Sequence, residues 1–241
     1  MRRPFLLLAA AAVSLSAAGC SRAQDDPAFG AKVRAYLLAH PEVLEEAFIK
    51  LQANKEAAGA VKAKAAIAAN RQAIERDPRD FVANPNGAIT VTQFYDYRCP
   101  HCINVAPKVV AMIKANPDLR FVFKELPIFG DISEHAAREA IAVHRSKGDV
   151  LGLYAAYMET RPLDQAAIDR IAQAHQVDPK AVETGLAKQD ADKQLDDVRA
   201  LAEKLGIEGT PAFIVGDTMI PGEDVDALNQ AIAAQRRMKK G

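Results

Sequence analysis

Cys99 and Cys102 are separated by Pro100 and His101 in the run Phe-Tyr-Asp-Tyr-Arg-Cys-Pro-His-Cys that covers 94–102. An alternating run upstream, Ile89, Val91, Gln93 and Tyr95, reads as a buried strand, and Ile103, Val109, Val110 and Ile113 follow at helical spacing. The first cysteine therefore stands at a strand-to-helix turn. A thiol there faces unsatisfied backbone N–H groups and the positive end of the helix dipole, which favour thiolate over thiol. Pro100 suits the first helical turn, where its missing N–H would have had no partner. His101, when protonated, adds a second positive group. Cysteines in such settings titrate between roughly 3.5 and 7.5 rather than near 8.5, so Cys99 is expected to be mostly thiolate at neutral pH. Cys102 lies one turn further on, within reach of a mixed disulfide formed on Cys99. This spacing offers a nucleophile with a resolving thiol. The other uses of two cysteines are a structural zinc site and inert core thiols. Zinc needs about four protein ligands, and no second Cys pair or His pair is spaced to complete a site.

Three stretches carry a family resemblance. Cys99-Pro100-His101-Cys102 resembles the active site of the DsbA-type thiol-disulfide oxidoreductases of the thioredoxin superfamily. Gly209-Thr210-Pro211-Ala212-Phe213 resembles that superfamily's cis-proline loop, and Pro107 stands where its active-site helix is often kinked. The resemblance implies an α/β thioredoxin fold with a mixed central sheet, an inserted helical domain and an N-terminal helical stalk. It implies catalytic roles for Cys99, Cys102, His101 and Pro100, a redox-active Cys99–Cys102 disulfide, and substrate binding by Thr210 and Pro211. No cofactor and no metal are expected. The partners would be cysteine-containing proteins and a membrane redox protein. One position departs from the pattern: six residues before Cys99, where the family carries a buried acid, stands Gln93. Glutamine can hydrogen-bond but cannot take the proton that Cys102 must lose. Asp96, Glu125 and bulk water are the candidate substitutes. Lys124 could stabilise a thiolate but needs a partner if buried.

The elements that must hold these residues follow in order. Arg2 and Arg3, the apolar stretch Phe5–Val13 and the small residues of 14–19 read as a secretory signal over 1–19, too short to span a membrane. Ala17-Ala18-Gly19-Cys20 resembles a bacterial lipobox, which would make Cys20 a lipidated N-terminus and explain the odd count of 3 cysteines. The competing expectation is ordinary cleavage after Ala23. Either places the mature chain outside the cytoplasm, in the periplasm, where disulfide chemistry is at home. Residues 20–28 form a tether. The region 29–76 reads as two helices broken at His40-Pro41, the second with a narrow stripe of mostly alanine. Its small apolar surface suits packing on copies of itself. The phrase Tyr36–Leu44 is similar to the N-terminal oligomerisation region of ScsC-type proteins, a DsbA-like group linked to copper tolerance.

Phe81–Ala83 is expected as an edge strand, 88–96 as the central strand, and Leu119–Lys124 as its parallel neighbour through a crossover helix. Segments 80–130 and 207–239 then make the thioredoxin-fold domain, and 131–206 the inserted domain, with roughly four helices starting near Ser133. His135, His144 and His175 within it are expected at surface positions rather than as copper ligands. Ala212–Val215 and Thr218–Ile220 form the last hairpin, and a final helix places Val225, Leu228 and Ile232 inward.

The net charge is zero and aromatics are 6%, which gives no sign of nucleic-acid binding. The function expected is extracytoplasmic thiol-disulfide exchange on proteins. A Cu(I) chaperone using the same soft thiolate pair is the alternative, although no Met-rich or His-rich tract accompanies it. Pro100-His101 is similar to the oxidising DsbA dipeptide, whereas Thr210 and the stalk are more similar to the isomerase side of the superfamily. The stalk is weighed above the dipeptide, because several linked sites raise effective concentration around one client. A homo-oligomeric isomerase is the expectation.

Overall fold

The computed structural model describes residues 27–175, 178, 182 and 185–239. The signal segment and Cys20 lie outside the described residues, as does Pro179. The chain divides into two units, one ending at Asn54 and one beginning at Lys55.

The first unit holds α1 (Pro27–Ala39) and the opening turns of α2 (Glu42–Glu75), which are broken at His40-Pro41 as the proline pattern requires. α1 buries no residue. Phe29, Tyr36, Leu38, Phe48 and Ile49 are each more than half exposed, so these helices present large apolar side chains that none of the described residues covers.

The second unit is built on a five-stranded sheet in the order β1-β3-β2-β4-β5. The strands are β1 (Phe81–Ala83), β2 (Ile89–Tyr95), β3 (Leu119–Glu125), β4 (Ala212–Val215) and β5 (Thr218–Pro221). β2 and β3 are parallel, with Ile89 opposite Leu119 and Tyr95 opposite Glu125. All other pairings are antiparallel. α3 (Pro100–Ala115) makes the crossover and runs on through Pro107. The remaining helices among the described residues are α4 (Asp131–Arg145), α5 (Val150–Glu159), α6 (Gln165–Ala174), α7 (Gly185–Leu205) and α8 (Val225–Met238). The expected mixed sheet with helices on both faces and a helical insertion after the second long strand is what the chain adopts.

Strand alternation sorts the side chains between two cores. Odd residues of the central strands, including Val91, Tyr95, Phe121, Phe123, Phe213 and Val215, join α3, the insertion and α8 in the larger core. Even residues, Phe94, Ala212 and Ile214, join Ile67 and Ile74 of α2 and Val198, Leu201 and Leu205 of α7 in the smaller one. The second half of α2 is thus built into this unit: its Ile67 and Ile74 are fully buried. Three of its last carbonyls accept hydrogen bonds from strand side chains, Ala73 from Lys124, Ile74 from Thr92 and Glu75 from Arg120. α7 bridges the layers, with Ala191 and Leu195 on α4 and its later turns on the sheet.

α4 opens two residues before the expected Ser133. Gly130 sits at its N-cap with φ 83°, a left-handed conformation suited to glycine. Ser133 is the third residue of the helix rather than its cap, and its hydroxyl is used elsewhere, as described next.

Candidate active site

Asp96, the first residue past β2, fastens two loops together. Its carboxylate accepts from the backbone N–H of Arg98, Ile128 and Phe129 and from the Ser133 hydroxyl, at 2.6, 2.7, 3.0 and 2.8 Å. The candidate proton acceptor Asp96 is therefore a clamp, its lone pairs taken by four donors. The clamped turn delivers Cys99 to the N-cap of α3 in an extended conformation, φ −69° and ψ 121°. Pro100 occupies the first helical position and Cys102 the first turn.

Both cysteines are buried free thiols. Cys99 Sγ donates to the Thr210 carbonyl at 3.0 Å. The Thr210–Pro211 peptide bond is cis, and Ala212 next to it pairs with Phe94, so β4 carries this loop against the active-site turn. The Thr210 hydroxyl, buried and with no hydrogen-bond partner of ordinary geometry among the described residues, is turned to the two sulfurs.

The two thiols differ sharply in acidity. Cys99 is pulled down to about 5, first by a hydrogen bond from the Cys102 thiol, then, against the opposing effect of burial, by the Thr210 side chain and the backbone N–H groups of Cys102 and His101. Cys102 is pushed far up, first by burial and then by Cys99 beside it. At neutral pH Cys99 is therefore largely thiolate and Cys102 keeps its proton, and the Cys99 bond to the Thr210 carbonyl belongs to the protonated form of Cys99. His101 feels the charge of Cys99, but its larger partner is a carboxylate from a distant turn. Its imidazole is exposed and reaches Glu223 Oε1 at 3.1 Å, and that carboxylate raises its pKa. The sequence points to the helix N-terminus and His101 as the main source of the Cys99 shift; the Cys102 thiol supplies the largest part instead. Glu223 was legible only as part of a helix-opening turn, because nothing local in sequence links it to a residue 122 positions away.

Beneath Cys102 lies a buried tyrosine cluster that sequence reasoning did not assemble. Gln93 and the Tyr154 hydroxyl face each other, with Gln93 Nε2 at 3.4 Å and Oε1 at 3.5 Å. Tyr95 and Tyr97 both donate to Glu125 Oε1, Tyr97 at 3.0 Å. The rings of Tyr95 and Tyr154, and of Tyr97 and Tyr157, pack edge-on at 5.2 and 5.0 Å. Glu125 is pushed up to about 8 by burial, with the two tyrosine hydroxyls pulling the other way.

Lys124 points to the opposite face. Its ammonium is buried against Asp80 at 2.5 Å and Ala73 O at 2.6 Å, which removes it as a partner for the thiolate. The histidines also differ from their expected surface positions. His135 is buried and bonded to Asp169 at 2.6 Å, and His144 packs half-buried against Phe81. His135, Glu139 and Asp169 bring possible ligand atoms within 4.8 Å of one another, on α4 and α6.

A groove of about 860 Å³ runs beside the cis-proline loop. Ala63 and Ala66 of α2 form one wall, and Ile207, Thr210, Pro211 and Met219 line the other.

Comparison with known proteins agrees with this geometry. The sequence model of the DSBA-like thioredoxin domain matches residues 90–233, and that of the "Copper resistance protein ScsC N-terminal domain" matches 27–58. The chain is 29% identical over 135 residues to the thiol:disulfide interchange protein DsbA of Bordetella pertussis, covering 54% of this chain and 64% of that protein. It is 30% identical over 166 residues to the Na(+)/H(+) antiporter NhaA 3 of Salinispora tropica, over 65% of this chain and 25% of the antiporter. The chain thus spans less than two thirds of either relative. Among solved structures, Salmonella enterica Typhimurium BcfH superposes with a TM-score of 0.69 at 30% identity, covering 86% of this chain and 93% of that one. A linker-deletion mutant of Proteus mirabilis ScsC superposes with a TM-score of 0.65 at 26% identity, over 92% and 99%. With its cysteine pair, its cis-proline loop and strands β3, β4 and β5 inside the matched region, the chain belongs to the DSBA-like thioredoxin-domain family, here joined to an ScsC-type N-terminal region.

Proposed function

We propose that the protein is an extracytoplasmic thiol-disulfide oxidoreductase acting on protein cysteines, with Cys99 as nucleophile and Cys102 as resolving thiol. The observation that carries this reading is the unequal pair: a thiol drawn down to about 5 at the N-cap of a helix, beside a fully buried thiol that keeps its proton. A thiolate of low pKa attacks a disulfide sulfur and also leaves readily. In the reducing direction, Cys99 S⁻ attacks a client disulfide, forms a mixed disulfide and expels one client thiolate. Cys102, once deprotonated, attacks Cys99 Sγ, closes the Cys99–Cys102 disulfide and expels the second. Oxidation of a client is the reverse. Thr210 and Pro211 flank the groove in which an extended client segment would lie, close to the Cys99 sulfur.

The expected result in an insulin-reduction assay is turnover by the mature protein and none by Cys99→Ser. Cys102→Ser should accumulate mixed disulfides with client. Absence of turnover together with tight Cu(I) capture by the reduced protein would favour the chaperone reading, to which the name of the matched N-terminal domain lends support.

We further infer a homo-oligomeric isomerase. The exposed apolar face of residues 27–54 and its match to the ScsC N-terminal region support association of copies through these helices. The test is refolding of a scrambled multi-disulfide protein by the mature form and by a form lacking 24–54. A longer deletion, to residue 76, would also strip Ile67 and Ile74 from the catalytic core. Shuffling should require the N-terminal helices and dithiol oxidation should not. Equal shuffling by both forms, or none by either, would leave an oxidase. For Cys20, lipidation predicts that Cys20→Ala moves the protein from the membrane to the soluble periplasmic fraction; an unchanged distribution would count against an anchor.

A further inference from the structure

α4 packs on α6 within the insertion, and the contact holds side chains that a packed pair of helices does not need. His135 and Glu139 stand four residues apart, so they lie one turn from each other on the same face of α4. His135 is only 5% exposed and Glu139 is wholly buried. Asp169 of α6 meets them from the other side, its Oδ1 2.6 Å from His135 Nε2. One ligand atom from each of the three lies within 4.8 Å of the others. Apolar residues at these places would close the helix contact without desolvating any polar group, whereas an imidazole and two carboxylates must be taken out of water. Two carboxylates and a neutral imidazole carry two negative charges, which a divalent cation cancels while taking one lone pair from each donor.

We propose that His135, Glu139 and Asp169 form a binding site for a divalent transition-metal ion of the zinc class, which clamps α4 to α6. The site shares no residue with the cysteine pair and does not depend on the oxidoreductase reading. One nitrogen and two oxygens are a mixed donor set, which suits zinc better than calcium or magnesium, whose sites are built from oxygen. With no sulfur among the donors, soft Cu(I) is a poor fit.

Bonds of about 2.1 Å to a tetrahedral ion set donors about 3.4 Å apart. The His135–Asp169 contact therefore opens by about 0.8 Å to admit the ion, and Glu139 closes in from within the 4.8 Å limit. Both are side-chain adjustments that leave the helices in place. Without metal, the proton of the His135–Asp169 hydrogen bond occupies the position that the ion takes. Uptake sends that proton to solvent when the imidazole is charged, and moves it to Nδ1 when the ring is neutral. Three coordinate bonds form and no electron is transferred. Asp169 is the outermost of the three, its side chain 35% exposed. It gives the ion a way in and leaves room for water as the fourth ligand.

The experiment is isothermal titration calorimetry with zinc chloride on the mature protein carrying Cys20→Ser, Cys99→Ser and Cys102→Ser, so that no thiol competes. One Zn²⁺ should bind per chain, and thermal unfolding should move to higher temperature as Zn²⁺ is added, because the ion binds only the native arrangement. Cobalt(II) in the same site should give visible d–d absorption. His135→Gln and Glu139→Gln should each weaken zinc binding about a hundredfold or more, since even the groups behind a metal ligand are worth about 10–100-fold. Both positions are buried, so Asp169→Ala, at the solvent side, serves where those variants fold poorly. It should abolish the cobalt absorption and the zinc-dependent thermal shift together. No binding to the cysteine-free chain, or an affinity that Asp169→Ala lowers less than about tenfold, would overturn the proposal. So would zinc binding by wild type that the three serine substitutions abolish, which would place the ion on the thiols.

Discussion

The acidity of Cys99 is set by its neighbours in an order that a variant series can read. Because the Cys102 thiol is the largest contributor and the His101 imidazole is turned to Glu223, Cys102→Ala should raise the Cys99 pKa more than His101→Ser does. Thiolate absorbance against pH is the measurement, and a larger rise in His101→Ser would reverse the ranking. Glu125 makes a stability prediction of its own. Its carboxyl is raised from an ordinary 4.5 to about 8, so the native state keeps a proton that the unfolded chain releases. Stability must then fall as pH rises through that window, by up to about 1.4 kcal/mol per pH unit for one group. Asp80, raised to about 7, adds a slope of the same sign. Cys99 contributes the opposite sign, since its thiolate stabilises the reduced fold as pH rises from about 5. Denaturant unfolding of the disulfide form removes that contribution. There Glu125→Gln should flatten, without eliminating, the loss of stability between about pH 5 and 8, and an unchanged slope would contradict the buried acid.

At the scale of elements, Lys124 of β3 is held in a buried ion pair with Asp80, just before β1, and from there ties α2 to the sheet by donating to the Ala73 carbonyl. Replacing Asp80 with Ala strands the Lys124 ammonium, and breaking a buried pair in this way typically costs about 3–5 kcal/mol. Lys124→Met combined with Asp80→Leu should recover much of that loss, because apolar groups of similar volume need no compensation. A double variant as unstable as the single would mean that the pair does more than neutralise charge. The same strands show what was legible beforehand. Strand 88–96, the edge strand, the crossover and the last hairpin were readable because alternation and turn residues are local signals. So was the cysteine pair, whose helix-terminal placement follows from four consecutive residues. The contacts of Lys124, His101 and Glu125 were not. Each depends on a partner between 28 and 122 positions away, and a strand residue's face becomes known only when register is known. Lys124 and Glu125 differ by one residue and end on opposite sides of the sheet. The buried place of Ile67 and Ile74 was missed for a related reason: an alanine-rich stripe is weakly apolar wherever it packs.

For the molecule as a whole, the unit from Lys55 onward encloses its own core, while residues 27–54 keep large apolar side chains in water. Exposed surface of that kind marks an interaction site. Size-exclusion with light scattering should give a multiple of the chain mass for the mature protein and the single-chain mass once 24–54 are removed; a monomer in both forms would discount self-association. The chain also has an optical property that follows from its aromatic inventory. It contains 5 tyrosines and no tryptophan. Tyr95, Tyr97, Tyr154 and Tyr157 are the four in the core around Cys102, and Tyr36 alone belongs to the N-terminal helices. Most of the phenols that can report in the ultraviolet therefore lie in the core beside the cysteine pair, where thiolates, disulfides and ionised carboxylates quench phenol fluorescence to different degrees. Each turnover should write its own signal, and stopped-flow emission can follow thiol exchange with no dye and no engineered reporter.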